Sequence, residues 1–410
     1  MLNWGNRFNI CAFLDNHQYQ LQGHNYECLA GFGSIASIKA NAGTALSQLQ
    51  FFLNAHNNDW CFGHLGYNLK NETTQVVSAT TTCIGFSDLF FFVPKYVFQL
   101  NEQELKIGSF ANDHAKILEQ ILQTTVEVNS KQSFITIQER VNKAAYLTAI
   151  EKIQKHILRG DCFELNYCME FFAEDVLIDA VKVYQALTAF SPNPFAAFYK
   201  VENSYLLCAS PERFLRKKGT ELLSQPIKGT VRRERDNSTI DEALKEQLYQ
   251  SAKDRSENVM VVDLVRNDLS KVCKEGTVKV DELFGIYSFP QVHQMISSVS
   301  GKVKEELNFT DIIRATFPMG SMTGAPKQKV IQLIDEFEQT DRGIFSGAVG
   351  YIAPNGDFDF NVVIRSILYN ASTNYLSYLV GSGITFYSNA ENEYEECLLK
   401  AEAMRKVLYF

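Results

Sequence analysis

From Ile137 to Leu158 the apolar residues Tyr146, Ile150, Ile153 and Ile157 recur with the 3.6-residue period of a helix, and Gly160 suits its end. Strand-like runs then dominate: SYLLCAS (204–210), ELLSQPIKGTVRR (221–233), VHQMISSVSGKV (292–303), SGAVGYIAP (346–354), FNVVIRSILYN (360–370) and YLSYLVGSGITFYS (375–388). Asn355-Gly356, between the fourth and fifth of these, is a hairpin signal. Helical patterns separate the runs near 239–271, 309–316, 325–340 and 390–407. Strands and helices do not alternate strictly. The predicted class is therefore α+β with antiparallel pairing, not a doubly wound parallel sheet.

Upstream, the chain is rich in Phe and Tyr and in short strand-like runs such as LFFFVPKYVFQL (89–100), punctuated by Asn and Gly. A helical pattern covers Ala111 to Gln123, and residues 124–133 read as a polar connection. We place a boundary there, between a β-rich region (1–130) and a second region (131–410). There is no internal repeat and no low-complexity tract.

Composition narrows the function classes. Of 410 residues, 39 are Lys or Arg and 47 are Asp or Glu, for a formal charge of −8 without a long basic run. Nothing here suits a nucleic-acid partner. The nine cysteines are scattered without a Cys-x-x-Cys pair, which predicts reduced thiols in the cytoplasm. The first residues lack a basic-then-apolar leader, and no run of about 18 apolar residues predicts a membrane span. An acidic protein that binds an anion must gather its positive charge locally.

Five segments are candidates for chemistry. In the last helical segment Glu393, Glu396 and Lys400 are spaced i, i+3, i+7 and share a face. They are either a solvated charged face or ligands for a hard cation, which takes one or two carboxylates. Asp254 and Glu257 repeat the i, i+3 spacing just before an apolar run, either as acids favoured by a helix N-terminus or as further ligands. In PIKGT (226–230) Lys228 lies in an otherwise apolar strand; it either points to water or turns inward as a nucleophile or base. Glu212, in SPERF (210–214), is either paired with Arg213 or buried as a proton donor. The segment GSMTGAPK (320–327) precedes a helix but lacks P-loop spacing; it is a loop-to-helix start or a carboxylate-binding one.

In this order SPERF, PIKGT, DRSEN with DLVRNDL, GSMTGAPK, FSGAVGY, VVIRS, GSGIT and ENEYEECLLKAEA resemble the chorismate-utilising enzymes, from about residue 137 to the C-terminus. The resemblance implies two antiparallel sheets packed face to face with helices outside. It implies Mg²⁺ held by Glu257 and Glu396, with Asp254 and Glu393 beside the metal or its waters. Arg365, the amides around Gly381, Ser382 and Gly383, and Lys400 are the implied anchors for the carboxylates of chorismate. His293 and Thr323 match positions near the substrate.

Lys228 separates the subfamilies. Aminodeoxychorismate synthases carry Lys at the matching position, anthranilate synthases Ala. The resemblance thus implies amination at C4, giving 4-amino-4-deoxychorismate for 4-aminobenzoate and folate synthesis. Lys228 would form a covalent intermediate and Glu212 would protonate the leaving hydroxyl. Where water-using relatives carry Lys, this chain has Glu164; ammonia users more often have Gln. The chain has no recognisable glutaminase module, so ammonia is expected from a separate glutamine amidotransferase subunit. The alternatives are amination at C2, as in anthranilate synthase, or a non-catalytic scaffold for the amidotransferase.

Overall fold

The computed structural model describes residues 1–19, 26–74, 76, 83–124 and 135–408. The described strands form two antiparallel sheets, of eleven and ten strands, as expected. Each draws on both halves of the chain. The larger sheet pairs Ile10–Asp15 with Phe195–Val201. The smaller pairs Cys61–Leu65 with Ala348–Ile352. The polar connection expected at 124–133, and with it the boundary at 130, lies outside the described residues except for Thr124.

Prolines redraw two of the expected strands. The run 89–100 divides at Pro94 into Leu89–Val93 and Tyr96–Leu100, which enter different sheets. The run 221–233 divides at Pro226 into Glu221–Gln225 and Ile227–Arg232. Proline has no N–H to give a ladder, so pairing is interrupted there. The Asn355-Gly356 hairpin forms as read, with Ile352 opposite Phe358 and Gly356 at a φ of 76°.

The helix read from Ile137 begins only at Lys143. Asn142 caps it, accepting from the Ala145 amide at 2.9 Å, and this satisfies an amide that has no partner within the helix. Its stripe of Tyr146, Ile150 and Ile153 is fully buried, each side chain contributing about 2 kcal/mol. The stripe belongs to a core between the larger sheet and the helices Lys143–Leu158, Ala180–Phe190 and Ala390–Leu408. A second core lies between the two sheets. The pattern expected over 239–271 is two helices, Ser238–Gln250 and Ala252–Val272. All nine cysteines are free thiols. No helix among the described residues is long and apolar enough to cross a membrane.

Candidate active site

The strand Ile227–Arg232 ends one side of the smaller sheet, and Glu164–Ala173 and Tyr375–Thr385 lie toward one end of the larger. Helix Ala252–Val272 packs on the first and Ala390–Leu408 on the last. Residues of all five elements line one cavity, whose empty space is about 900 Å³ with its open mouth included.

Lys228 reaches this cavity because its strand is irregular. The register with Val292–Lys302 shifts between Ile227 and Thr230. Gly229 sits at a φ of 92°, and a Cβ there would come 3.0 Å from Asp254. A bulge of this kind re-aims a side chain. The Lys228 ammonium lies 2.5 Å from Glu164 Oε1, on the facing sheet. Burial pulls its proton affinity down, but Glu164, Glu257 and Glu212 together outweigh burial and hold the amine protonated beyond its usual range.

Glu212 lines the same cavity from the turn before Arg213. Burial raises its carboxyl to about 7, against the opposing pull of the Ser321 hydroxyl, Lys228 and the Ile227 amide. It is not paired with Arg213, whose guanidinium binds Asp359 and Gln225. A buried carboxyl that keeps its proton near neutrality is suited to protonate a leaving group.

Two cations stand ready for anions in different ways. Arg365 lines the cavity with a left-handed backbone (φ 53°) and makes no hydrogen bond or ion pair to any described side chain. Burial lowers its proton affinity, with Glu396 opposing. Strain at a non-glycine residue persists where the surrounding structure enforces it. Lys400 is already engaged, with Glu396 at 2.6 Å and the Gly381 carbonyl at 2.9 Å.

The carboxylates divide likewise. Asp254, Glu257 and Glu396 line the cavity. Glu257 Oε1 is buried without a hydrogen-bond donor, the nearest cation being Lys253 at 3.9 Å. Burial first, and Glu164 and Glu393 further, lift this carboxyl to about 8 against Lys228 and Lys253. Burial would raise Glu396 too, but Lys400, Lys253 and Lys228 hold it down to about 2. Among the described residues no three acids, histidines or cysteines converge on one point. Glu257, with an acceptor left over, and ionised Glu396 fit Mg²⁺, which typically takes one or two protein carboxylates and fills its shell with water and substrate.

Four of the expected site residues do not line the cavity. Glu393 is buried, accepting from the Ser382 hydroxyl and from Lys253 Nζ, the latter at 2.7 Å. It and Ser382 thus pin the last helix to its strand, while Gly381 and Gly383 face the cavity. The Thr323 hydroxyl donates to the Met319 carbonyl at 3.1 Å, and Ser321 and Met322 line the cavity instead. His293 lies 2.8 Å from Ser288 Oγ and 3.1 Å from Asp241 Oδ1, and its neighbour Gln294 faces the cavity. Adjacent strand residues face opposite sides, so period alone exchanges one for the other once the direction is known. Asn166 and Lys253 also line the cavity unforeseen; each is within two residues of a singled-out acid, Glu164 or Asp254.

Comparison with known proteins matches residues 11–406 to the family described as chorismate binding enzyme. The probable aminodeoxychorismate synthase, chloroplastic, of Oryza sativa subsp. japonica is 35% identical over 386 residues, 84% of this chain and 43% of that protein. Aminodeoxychorismate synthase component 1 of Bacillus subtilis is 36% identical over 260 residues, 63% of this chain and 54% of that protein. The chain thus spans about half the length of these curated relatives. Among solved structures, anthranilate synthase component I from Streptococcus pneumoniae superposes with a TM-score of 0.80 at 24% identity, covering 95% of this chain and 94% of that one. The menaquinone-specific isochorismate synthase of Escherichia coli gives 0.79 at 18% identity, over 99% and 91%. At such identities the likeness shows the fold.

Proposed function

The chain belongs to the chorismate-binding enzymes, and from that premise we propose that it aminates chorismate at C4, yielding 4-amino-4-deoxychorismate. The observation that carries this reading is one cavity holding a largely buried lysine, Lys228, and a buried carboxyl raised to about 7, Glu212. Amination at C2 has no use for the lysine. The relatives named aminodeoxychorismate synthase support the same choice.

In this reading Arg365 takes one substrate carboxylate and Lys400 and the Gly381–Gly383 amides steady the other. Glu257 and Glu396 would hold Mg²⁺, which when bound supplies positive charge for the ring carboxylate. Lys228 passes a proton to Glu164, at 2.5 Å, and the free amine attacks C2. The C4–O bond breaks as Glu212 gives its proton, and water departs. Ammonia then attacks C4, the C2–N bond breaks, and Lys228 leaves as an amine. Ionised Glu212 takes the surplus proton from the new C4 ammonium, and Glu164 returns its own to Lys228. The sum is chorismate plus ammonia giving the amino product plus water. Two displacements explain retention at C4, and covalent catalysis splits one hard step into two easier ones. Ammonia comes from a separate glutamine amidotransferase subunit, and a lyase releases 4-aminobenzoate.

The test is to incubate the chain with chorismate, Mg²⁺ and an ammonium salt and identify the product by mass spectrometry. A product that an added lyase converts to 4-aminobenzoate supports the reading. Anthranilate would overturn the role of Lys228, and isochorismate would make water the nucleophile. Chorismate left unchanged, even with a glutaminase subunit and glutamine, would favour the scaffold.

A further inference from the structure

Gln294 is 3% exposed, faces the cavity from the strand Val292–Lys302, and makes no side-chain hydrogen bond to any described residue. Its carbonyl oxygen Oε1 is buried without a donor. A buried acceptor left unpaired costs about 1–3 kcal/mol, so the amide is completed by what enters the cavity. Another orphan acceptor on the lining, Glu257 Oε1, belongs to a carboxyl that can ionise against a bound cation. Gln294 is neutral and suits an uncharged donor.

Chorismate at neutral pH offers one such donor. Both carboxylates are ionised and the ether oxygen only accepts, which leaves the C4 hydroxyl. Every other species at that carbon in the proposed reaction also donates: departing water, ammonia and the product amine. Gln294 lies on the strand beside Lys228. It pairs with Thr230, while Ile227, whose amide reaches Glu212, pairs with Ile296. Two strand residues, about 7 Å, therefore separate the levels of Gln294 and Glu212, a span that their two side chains can close to meet at one hydroxyl, Glu212 giving a proton to its oxygen and Gln294 accepting from its hydrogen.

We propose that Gln294 is the residue that reads the C4 substituent, its carbonyl accepting from the hydroxyl of the substrate and then from the incoming nitrogen. This rests on the proposed amination of chorismate. It makes Gln294 a substrate-contacting residue beside Lys228 and Glu212.

The experiment compares Gln294→Met with the unsubstituted chain in two measurements at saturating ammonium. The first is kcat/KM for chorismate; the second is the inhibition constant of a chorismate analogue with hydrogen in place of the C4 hydroxyl. The expected result is a loss of about tenfold in kcat/KM, the size of one hydrogen bond, with the analogue's inhibition constant unchanged within about twofold. An equal loss in both would mean a distorted site, and no loss in either would mean no contact; each overturns the proposal. Should Gln294→Met fail to fold, Gln294→Asn, one carbon shorter, is read by the same two numbers. If the unsubstituted chain forms no C4-aminated product, the amination reading fails by itself. If it does and the two numbers move together, only the role of Gln294 falls.

Discussion

Lys228 Nζ and Glu164 Oε1 stand 2.5 Å apart, joining a strand at the end of one sheet to a strand near the end of the other. The pair keeps the amine charged in the free protein, and it gives the proton an acceptor at contact distance. A lysine isolated in the same cavity would be neutralised by burial alone.

Substituting Lys228 with Ala should lower the rate of C4 amination by at least about a hundredfold, the scale of losing a nucleophile or base. The unsubstituted chain, mixed with chorismate and Mg²⁺ without ammonia, should gain the mass of chorismate less water. Intact-protein mass spectrometry reads both, and an adduct that survives in Lys228→Ala would assign the nucleophile elsewhere.

Glu212 must hold its proton to act as an acid. Its carboxyl is raised to about 7, so turnover should fall as pH rises through 7. The same shift carries a stability consequence of determined sign. The folded protein binds this proton more tightly than the unfolded chain does. Its stabilising contribution is full below the ordinary carboxylate value of about 4.5 and is lost as pH rises to about 7. Glu212→Gln should therefore abolish most turnover while raising resistance to denaturant at pH 8, by up to a few kcal/mol. Equal stability of the two proteins at pH 8 would contradict the burial argument.

Arg342 is fully buried and gives hydrogen bonds to the Met322 and Asn166 carbonyls at 2.7 and 2.9 Å and to Glu338 at 2.6 and 2.9 Å. Asn166 and Met322 both line the cavity. Arg342→Met leaves the Glu338 carboxylate buried without its cation, and should cost about 3–5 kcal/mol in urea unfolding. A loss below about 1 kcal/mol would mean that water replaces the guanidinium.

His293 supports the site from behind. His293→Ala removes its contacts with Ser288 and Asp241 and should cost about 1–2 kcal/mol of stability. Because the ring does not line the cavity, kcat/KM for chorismate should stay within about threefold. A hundredfold drop would bring His293 into the chemistry.

Chelation should remove activity, and added Mg²⁺ should restore it. Glu257→Gln should raise the Mg²⁺ concentration needed for half-activity by at least about tenfold, because it replaces an anionic carboxylate, one oxygen of which has no donor in the protein, by a neutral amide. Glu393→Gln, altering an acid tied to Ser382 and Lys253, should change that concentration little and lower stability instead. Titration of rate against Mg²⁺ separates the two.

Much was legible from local pattern. The stripe of Tyr146, Ile150 and Ile153 determined a buried helical face, and Asn355-Gly356 determined a hairpin, because helix period and turn chemistry act over a few residues. The failure of strands and helices to alternate excluded a doubly wound sheet. The ordered motifs, from SPERF to ENEYEECLLKAEA, were enough to indicate the family. What local pattern does not carry is direction and partnership. Glu393 and Glu396 share one helix face, yet one is bound to Ser382 and Lys253 while the other borders the cavity. His293 and Gln294 are neighbours with opposite outlooks. Glu164, 64 residues from Lys228, becomes its partner only where the ends of two sheets meet. Burial and long-range pairing decide which charges are spent inside the protein and which remain for a ligand, and both arise from the packing of distant segments.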